Sequence, residues 1–82
     1  MNQKRMRKLS LVQTKPNHRG KVVEISGGAG LANKLMTMGI YKGKEIAKLS
    51  HIGLRGPVVI KSGRSILALG HGVASKIILE TE

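Results

Sequence analysis

Eighty-two residues with no cysteine, phenylalanine or tryptophan and a single tyrosine make one small domain. Its core must be aliphatic and compact, because a chain of this size buries only about 60% of its unfolded surface. The missing cysteines exclude a disulfide framework and a thiolate metal centre, and are compatible with a reducing compartment. Fifteen Lys and Arg against four acids give a formal charge of +11, a balance that seeks polyanions; a single aromatic residue argues against a nucleic-acid binder that works by stacking on bases and leaves open one that grips phosphates alone.

The charge is concentrated at the start. Lys4, Arg5, Arg7 and Lys8 fall within the first eight residues, and no acid occurs before Glu24. Residues 1–8 read as a flexible basic arm with an electrostatic attraction to an anionic membrane surface, an acidic partner or nucleic acid. No apolar run behind the arm is long enough for a secretion signal or for a span of about 20 residues, so the sequence reads as cytoplasmic.

Residues 8–13 alternate around Leu9 and Leu11 as a first strand, and residues 15–19, with Pro16 and Asn17, read as a loop into a turn at Gly20. Lys21-Val22-Val23-Glu24-Ile25 is a second strand, closed by the glycine cluster at 27–30. Leu31, Leu35 and Met38 then recur at i, i+4 and i+7, a helical period over residues 31–38 that leaves Met36 off the apolar stripe and exposed. Gly30 is the available N-cap, and Gly39 sits where a left-handed residue ends a helix.

A third strand over 44–49 carries Ile46 and Leu49, and residues 50–57 form a loop. Pro57 to Lys61 and Arg64 to Leu69 read as a hairpin about Ser62-Gly63. Val73 to Lys76 suit one helical turn and Ile77 to Glu80 a last strand. Five to six short strands with one short helix predict a mainly β fold, a small SH3-like barrel filling residues 9–82 as a single domain.

The glycines resemble phosphate-binding loops without meeting their spacing. Gly39 and Gly43 are separated by three residues rather than four, Glu45 stands where magnesium needs a hydroxyl, and Gly28-Ala29-Gly30 lacks the third glycine of a dinucleotide fingerprint. The carboxylates stand in or beside predicted strands with no histidine placed to pair with them in sequence, so the chain reads as a non-enzyme that requires no cofactor. His18, His51 and His71, all in predicted loops, are the candidate ligands for a transition metal such as ferrous iron, though their spacing matches no compact ligand motif.

Gly20 to Gly28, Leu35 with Met38-Gly39-Ile40 and Gly43, Pro57-Val58-Val59-Ile60, Ile66 to Leu69, and Ala74 with Ile77 together resemble the FeoA family of ferrous-iron transport accessory proteins. The most specific part is Leu-x-x-Met-Gly-Ile-x-x-Gly at residues 35–43. The resemblance implies an SH3-like barrel and a partnership with the membrane ferrous-iron permease through its cytosolic GTPase domain. Such a partner would act by binding one nucleotide state better than another. The chain departs from the family pattern at Lys42, at Arg55-Gly56 ahead of Pro57, at Gly70 and at Val73. No residue pattern fixes an oligomeric state.

Arg19 to Gly28 is also similar to the start of the KOW motif of RNA-binding proteins in translation and transcription. That motif would continue into a strand, whereas residues 31–38 have a helical period.

Overall fold

The computed structural model describes residues 6–81. The elements are β1 (Arg7–Ser10), β2 (His18–Ile25), α1 (Gly28–Thr37), β3 (Glu45–His51), β4 (Val58–Ser62), β5 (Ser65–Leu69), α2 (His71–Ala74) and β6 (Ile77–Thr81). All strands belong to one antiparallel sheet in the order β1-β6-β2-β3-β4-β5. The expected mainly β fold is thus the observed one.

β2 organises the sheet. Its first half pairs with β3, from His18 opposite Lys48 to Lys21 opposite Glu45. From Lys21 to Ile25 it pairs with β6, with a register shift between Val22 and Glu24. A bulge of this kind bends a strand and increases its twist, which lets one strand serve two ladders. Gly20 lies inside β2, not in a turn before it, and a Cβ there would stand 2.8 Å from the Glu80 carbonyl oxygen. Glycine is required here by close approach of two backbones.

The core contains Leu11, Val22, Leu35, Ile40, Ile46, Val58, Ile60, Leu69, Ala74, Ile77 and Leu79, with Leu31 and Met38 packed against it. The helix stripe read from the sequence is the core-facing side of α1. The helix is longer than expected at its start: its N-cap is Gly27 at φ 105°, three residues before Gly30.

Its end follows the expected chemistry closely. Gly39, at φ 84°, donates its N–H to the Met36 carbonyl at 3.0 Å, and Ile40 donates to the Leu35 carbonyl at 2.9 Å. These two bonds form a Schellman motif and satisfy carbonyls that a helix end leaves open. Ser62 Oγ donates to the Gly39 carbonyl at 2.7 Å, tying the junction to β4. The chain then turns through Tyr41 to Lys44, with Lys44 N–H bonded to the Tyr41 carbonyl at 3.0 Å and Gly43 at φ 93°. Positive φ at the third residue marks a type II turn, so Lys42 occupies the position where proline is favoured and its departure from the family pattern is locally tolerable.

The first strand is shorter and earlier than the sequence suggests, ending at Ser10. Ser10 N–H donates to Gln13 Oε1 at 3.0 Å while Gln13 N–H donates to Ser10 Oγ at 3.2 Å. This reciprocal capping box, legible as Ser-x-x-Gln, folds Leu11 and Val12 into a turn. The hairpin turn is Gly63-Arg64, since Ser62 pairs with Ser65. Gly63 has φ 60°, and a glycine leading a two-residue loop gives the primed turn that matches strand twist. The last helical turn begins at His71, two residues ahead of the expected Val73.

Candidate functional site

Two places carry chemistry. The first is a groove of about 450 Å³ lined by Ile25, Gly28, Ala29, Ala32, Met36, Tyr41 and Lys42. Glycine and alanine on α1 make its floor shallow, because they project little from the helix. Met36 is 57% and Tyr41 40% exposed, so two large, adaptable or flat side chains stand unpartnered beside that floor. Lys42 places a cation on the rim. The Met-Gly-Ile junction builds this face: the Schellman motif and the type II turn deliver Tyr41 and Lys42 alongside the helix that carries Met36.

The second is a basic cluster inside the sheet. Lys48 is only 1% exposed, among the largest fully buried side chains. Its Nζ donates to the Val12 carbonyl at 3.1 Å and lies 3.3 Å from His51 Nδ1. Burial, which disfavours the charged form, holds the Lys48 ammonium below the ordinary lysine range. His51 is likewise pushed below the ordinary histidine value, first by burial and then by the charges of Lys48 and His71. The His51 and His71 rings lie 6.0 Å apart, and His51 Nε2 is buried without a hydrogen-bond partner. An ammonium can only donate, so while Lys48 is charged a bond to Nδ1 requires the His51 tautomer protonated at Nε2.

A cation held by His51 would meet the charge of Lys48, whose Nζ lies 3.3 Å from the ring. The expected metal candidates are only partly brought together. His51 and His71 are neighbours, while His18 lies in β2 with its Nδ1 3.1 Å from the Pro16 carbonyl. Among the described residues, no three His, Asp or Glu side chains group as metal ligands. None of the three histidines is in a loop: they stand in β2, at the end of β3 and at the start of α2.

Sequence reasoning missed Lys48. Period-two alternation from Ile46 places it on the buried face, but its charge argued for solvent. Of the basic arm, Lys4 and Arg5 lie outside the described residues, and Arg7 and Lys8 belong to β1, where they pair with Thr81 and Glu80 of β6. Among the described residues, no helix is long and apolar enough to cross a membrane.

The histidine is expected to make stability fall with acid. With its pKa below about 6.5 in the folded chain and near 6.5 unfolded, the unfolded state takes up the proton first as pH drops. Stability from this group is therefore complete above pH about 6.5 and declines below it until the lowered folded value is passed. Urea midpoints measured between pH 8 and 5 should show this fall, and His51→Gln should remove that part of it. An unchanged acid profile in His51→Gln would refute the assignment.

Lys48→Met is expected to stabilise the domain by about 1–2 kcal/mol at pH 7, because a stem of similar volume replaces a charge taken out of water. Wild type is expected to gain stability as alkaline pH neutralises Lys48, whose pKa burial lowers in the folded chain, and the same substitution should abolish that gain. Urea titrations at pH 7 and pH 10 test both statements. A loss of stability at pH 7 would mean that the bond to Val12 outweighs the desolvation cost.

Comparison with known proteins places the chain. A model of the FeoA domain matches residues 9–81. A Methanocaldococcus jannaschii protein provisionally named Fe(2+) transport protein A is 36% identical over 59 residues, which are 72% of this chain and 70% of that protein. The crystal structure of an iron uptake regulatory protein, FeoA, superposes with a TM-score of 0.79 at 32% identity, covering 89% of this chain and 95% of the other. A manganese-dependent transcriptional repressor shares the fold at a TM-score of 0.81 and 17% identity, over 92% of this chain and 42% of that one. With α1 standing where a KOW motif would run on as a strand, and with the family pattern matched over nearly the whole chain, the protein belongs to the FeoA family of ferrous-iron transport accessory proteins.

Proposed function

We propose that this chain is a non-enzymatic cytoplasmic accessory protein that binds the cytosolic GTPase portion of the membrane ferrous-iron permease through the groove beside α1. The observation that carries the reading is an unpartnered apolar face, Ile25, Ala29, Ala32, Met36 and Tyr41, with Lys42 at its rim, built by the segment that carries the family motif. Methionine repacks against varied apolar surfaces and tyrosine offers a large contact area with few torsions to freeze, so both suit a docking face. The excess of cations over acids favours an acidic contact surface and speeds encounter more than it tightens the complex. Ferrous iron is then the permease's cargo, and this chain acts on transport by preferring one nucleotide state of the GTPase.

Met36→Glu is expected to weaken that binding at least tenfold, which is about 1.4 kcal/mol, while leaving the fold intact because Met36 is already exposed. Calorimetric titration of the purified chain against the cytosolic GTPase portion, loaded with GDP or a GTP analogue, measures this directly. Structured RNA at low and physiological salt is the control ligand. Binding to the GTPase that ignores Met36→Glu would remove the groove from the proposal, and RNA binding that survives physiological salt in its place would overturn it.

A further inference from the structure

The β3–β4 loop, residues 52–57, serves none of the chemistry above, yet it carries the most exposed large apolar side chain of the described residues. Leu54 is 93% exposed and Ile52 59%. The loop has a fixed neck. Ile52 N–H donates to the Pro57 carbonyl at 3.0 Å, and Gly56 packs so tightly that a Cβ there would overlap the Ile52 carbonyl oxygen. Gly53, at φ 67°, turns the chain over the tip. What projects is Gly53-Leu54-Arg55, an apolar point beside a cation on a closed base.

The surroundings share this character. β3 runs from Glu45 to His51, so the loop leaves the sheet at the end where β2 begins and where, through the antiparallel ladder, β6 ends and β1 starts. At that end Met6 is 51% exposed, and Arg7, Lys15 and His18 line one depression. Of the described acids, Glu45 starts β3, where Arg19 Nη1 offsets its charge at 3.4 Å, and with Glu80 it lines a second depression that also takes in Met6 and His18. Glu24 lies late in β2, and Glu80 stands in register between Lys8 and Lys21. No carboxylate lies in the loop.

We propose that this end of the domain docks on an anionic lipid surface, with Leu54 and Ile52 entering the headgroup layer and Arg55, Lys15 and Arg7 facing the phosphates. The match is one of layers. A bilayer offers negative charge outside and apolar material beneath it, and the domain offers cations at the base and leucine at the tip. Nucleic acid would use the cations but has no place for an exposed Leu54 away from any aromatic platform. The proposal goes beyond the permease reading and does not depend on it, because lipid alone is the ligand.

The chain contains no tryptophan, so Leu54→Trp supplies a single reporter at the tip. With permease-free vesicles holding about one-third phosphatidylglycerol, its emission should shift to the blue and be quenched by lipids brominated on the acyl chain, and phosphatidylcholine vesicles should give neither effect. In sedimentation with the same anionic vesicles at physiological salt, Leu54→Asp should lower partitioning about tenfold or more, and Arg55→Gln about fivefold. Melting temperatures should be unchanged, since both side chains point into solvent. Failure of the wild-type chain to sediment with anionic vesicles would overturn the proposal. So would partitioning that is indifferent to Leu54→Asp, which would leave attraction by charge alone. A Leu54→Asp chain that loses the GTPase portion while keeping the vesicles would make the loop a protein contact instead.

Discussion

Ile40→Ala is expected to destabilise the domain by about 3 kcal/mol, within the range of about 2–5 kcal/mol for emptying a buried isoleucine site. Ile40 has no exposed surface and belongs to the same core cluster as Leu35. Its amide closes the Schellman motif on the Leu35 carbonyl, and that bond survives the substitution because it uses only backbone. What is lost is the apolar contact that accompanies the motif and holds the helix end against the sheet. Ile40→Val, removing one methylene, should cost about 1 kcal/mol. Urea denaturation of the two variants tests the pair, and near-equal midpoints for Ile40→Ala and wild type would show that the junction rearranges to fill the space. Against a stability of about 5–10 kcal/mol for a small domain, the expected loss is large.

The second large effect is at Gly20. A methyl group there would meet the Glu80 carbonyl oxygen at 2.8 Å and Leu79 Cβ at 3.1 Å. Both neighbours are held in the β2–β6 ladder, so relief requires moving one strand relative to the other. Gly20→Ala is expected to cost about 2–3 kcal/mol by this overpacking. Gly30→Ala is the contrast: it lies within α1 with no atom within 4 Å of the added Cβ, and should stabilise by about 0.5–1 kcal/mol through helix propensity. Equal effects at the two positions, read as thermal midpoints, would show that close packing does not govern Gly20.

The helix stripe and its glycine stop were legible because both depend on local chemistry: Leu31, Leu35 and Met38 share a face at 3.6 residues per turn, and only glycine takes φ 84° without strain. The exposed Met36 followed from the same periodicity. Gly20 was misread as a turn because its requirement is tertiary, an approach of β6 that no local pattern announces. Ser10 and Gln13 ended β1 by side-chain bonds that a hydrophobic alternation conceals. The groove needs Tyr41 brought beside Met36, and the buried cluster needs His71 of α2 brought to His51 of β3. Both depend on how the elements fold together, and neither histidine is marked by its sequence neighbours.

The pairing of Arg7 with Thr81 joins the first strand of the domain to the last. The β3-β4-β5 meander can form from contacts between neighbours in sequence, but β1 has no ladder until β6 exists. On the ribosome the N-terminal strand therefore emerges first and waits, its edge open, until nearly the entire domain has been translated. The cations Arg7 and Lys8 on that waiting segment oppose its pairing with another copy, so part of the charge protects the molecule before it has a structure at all.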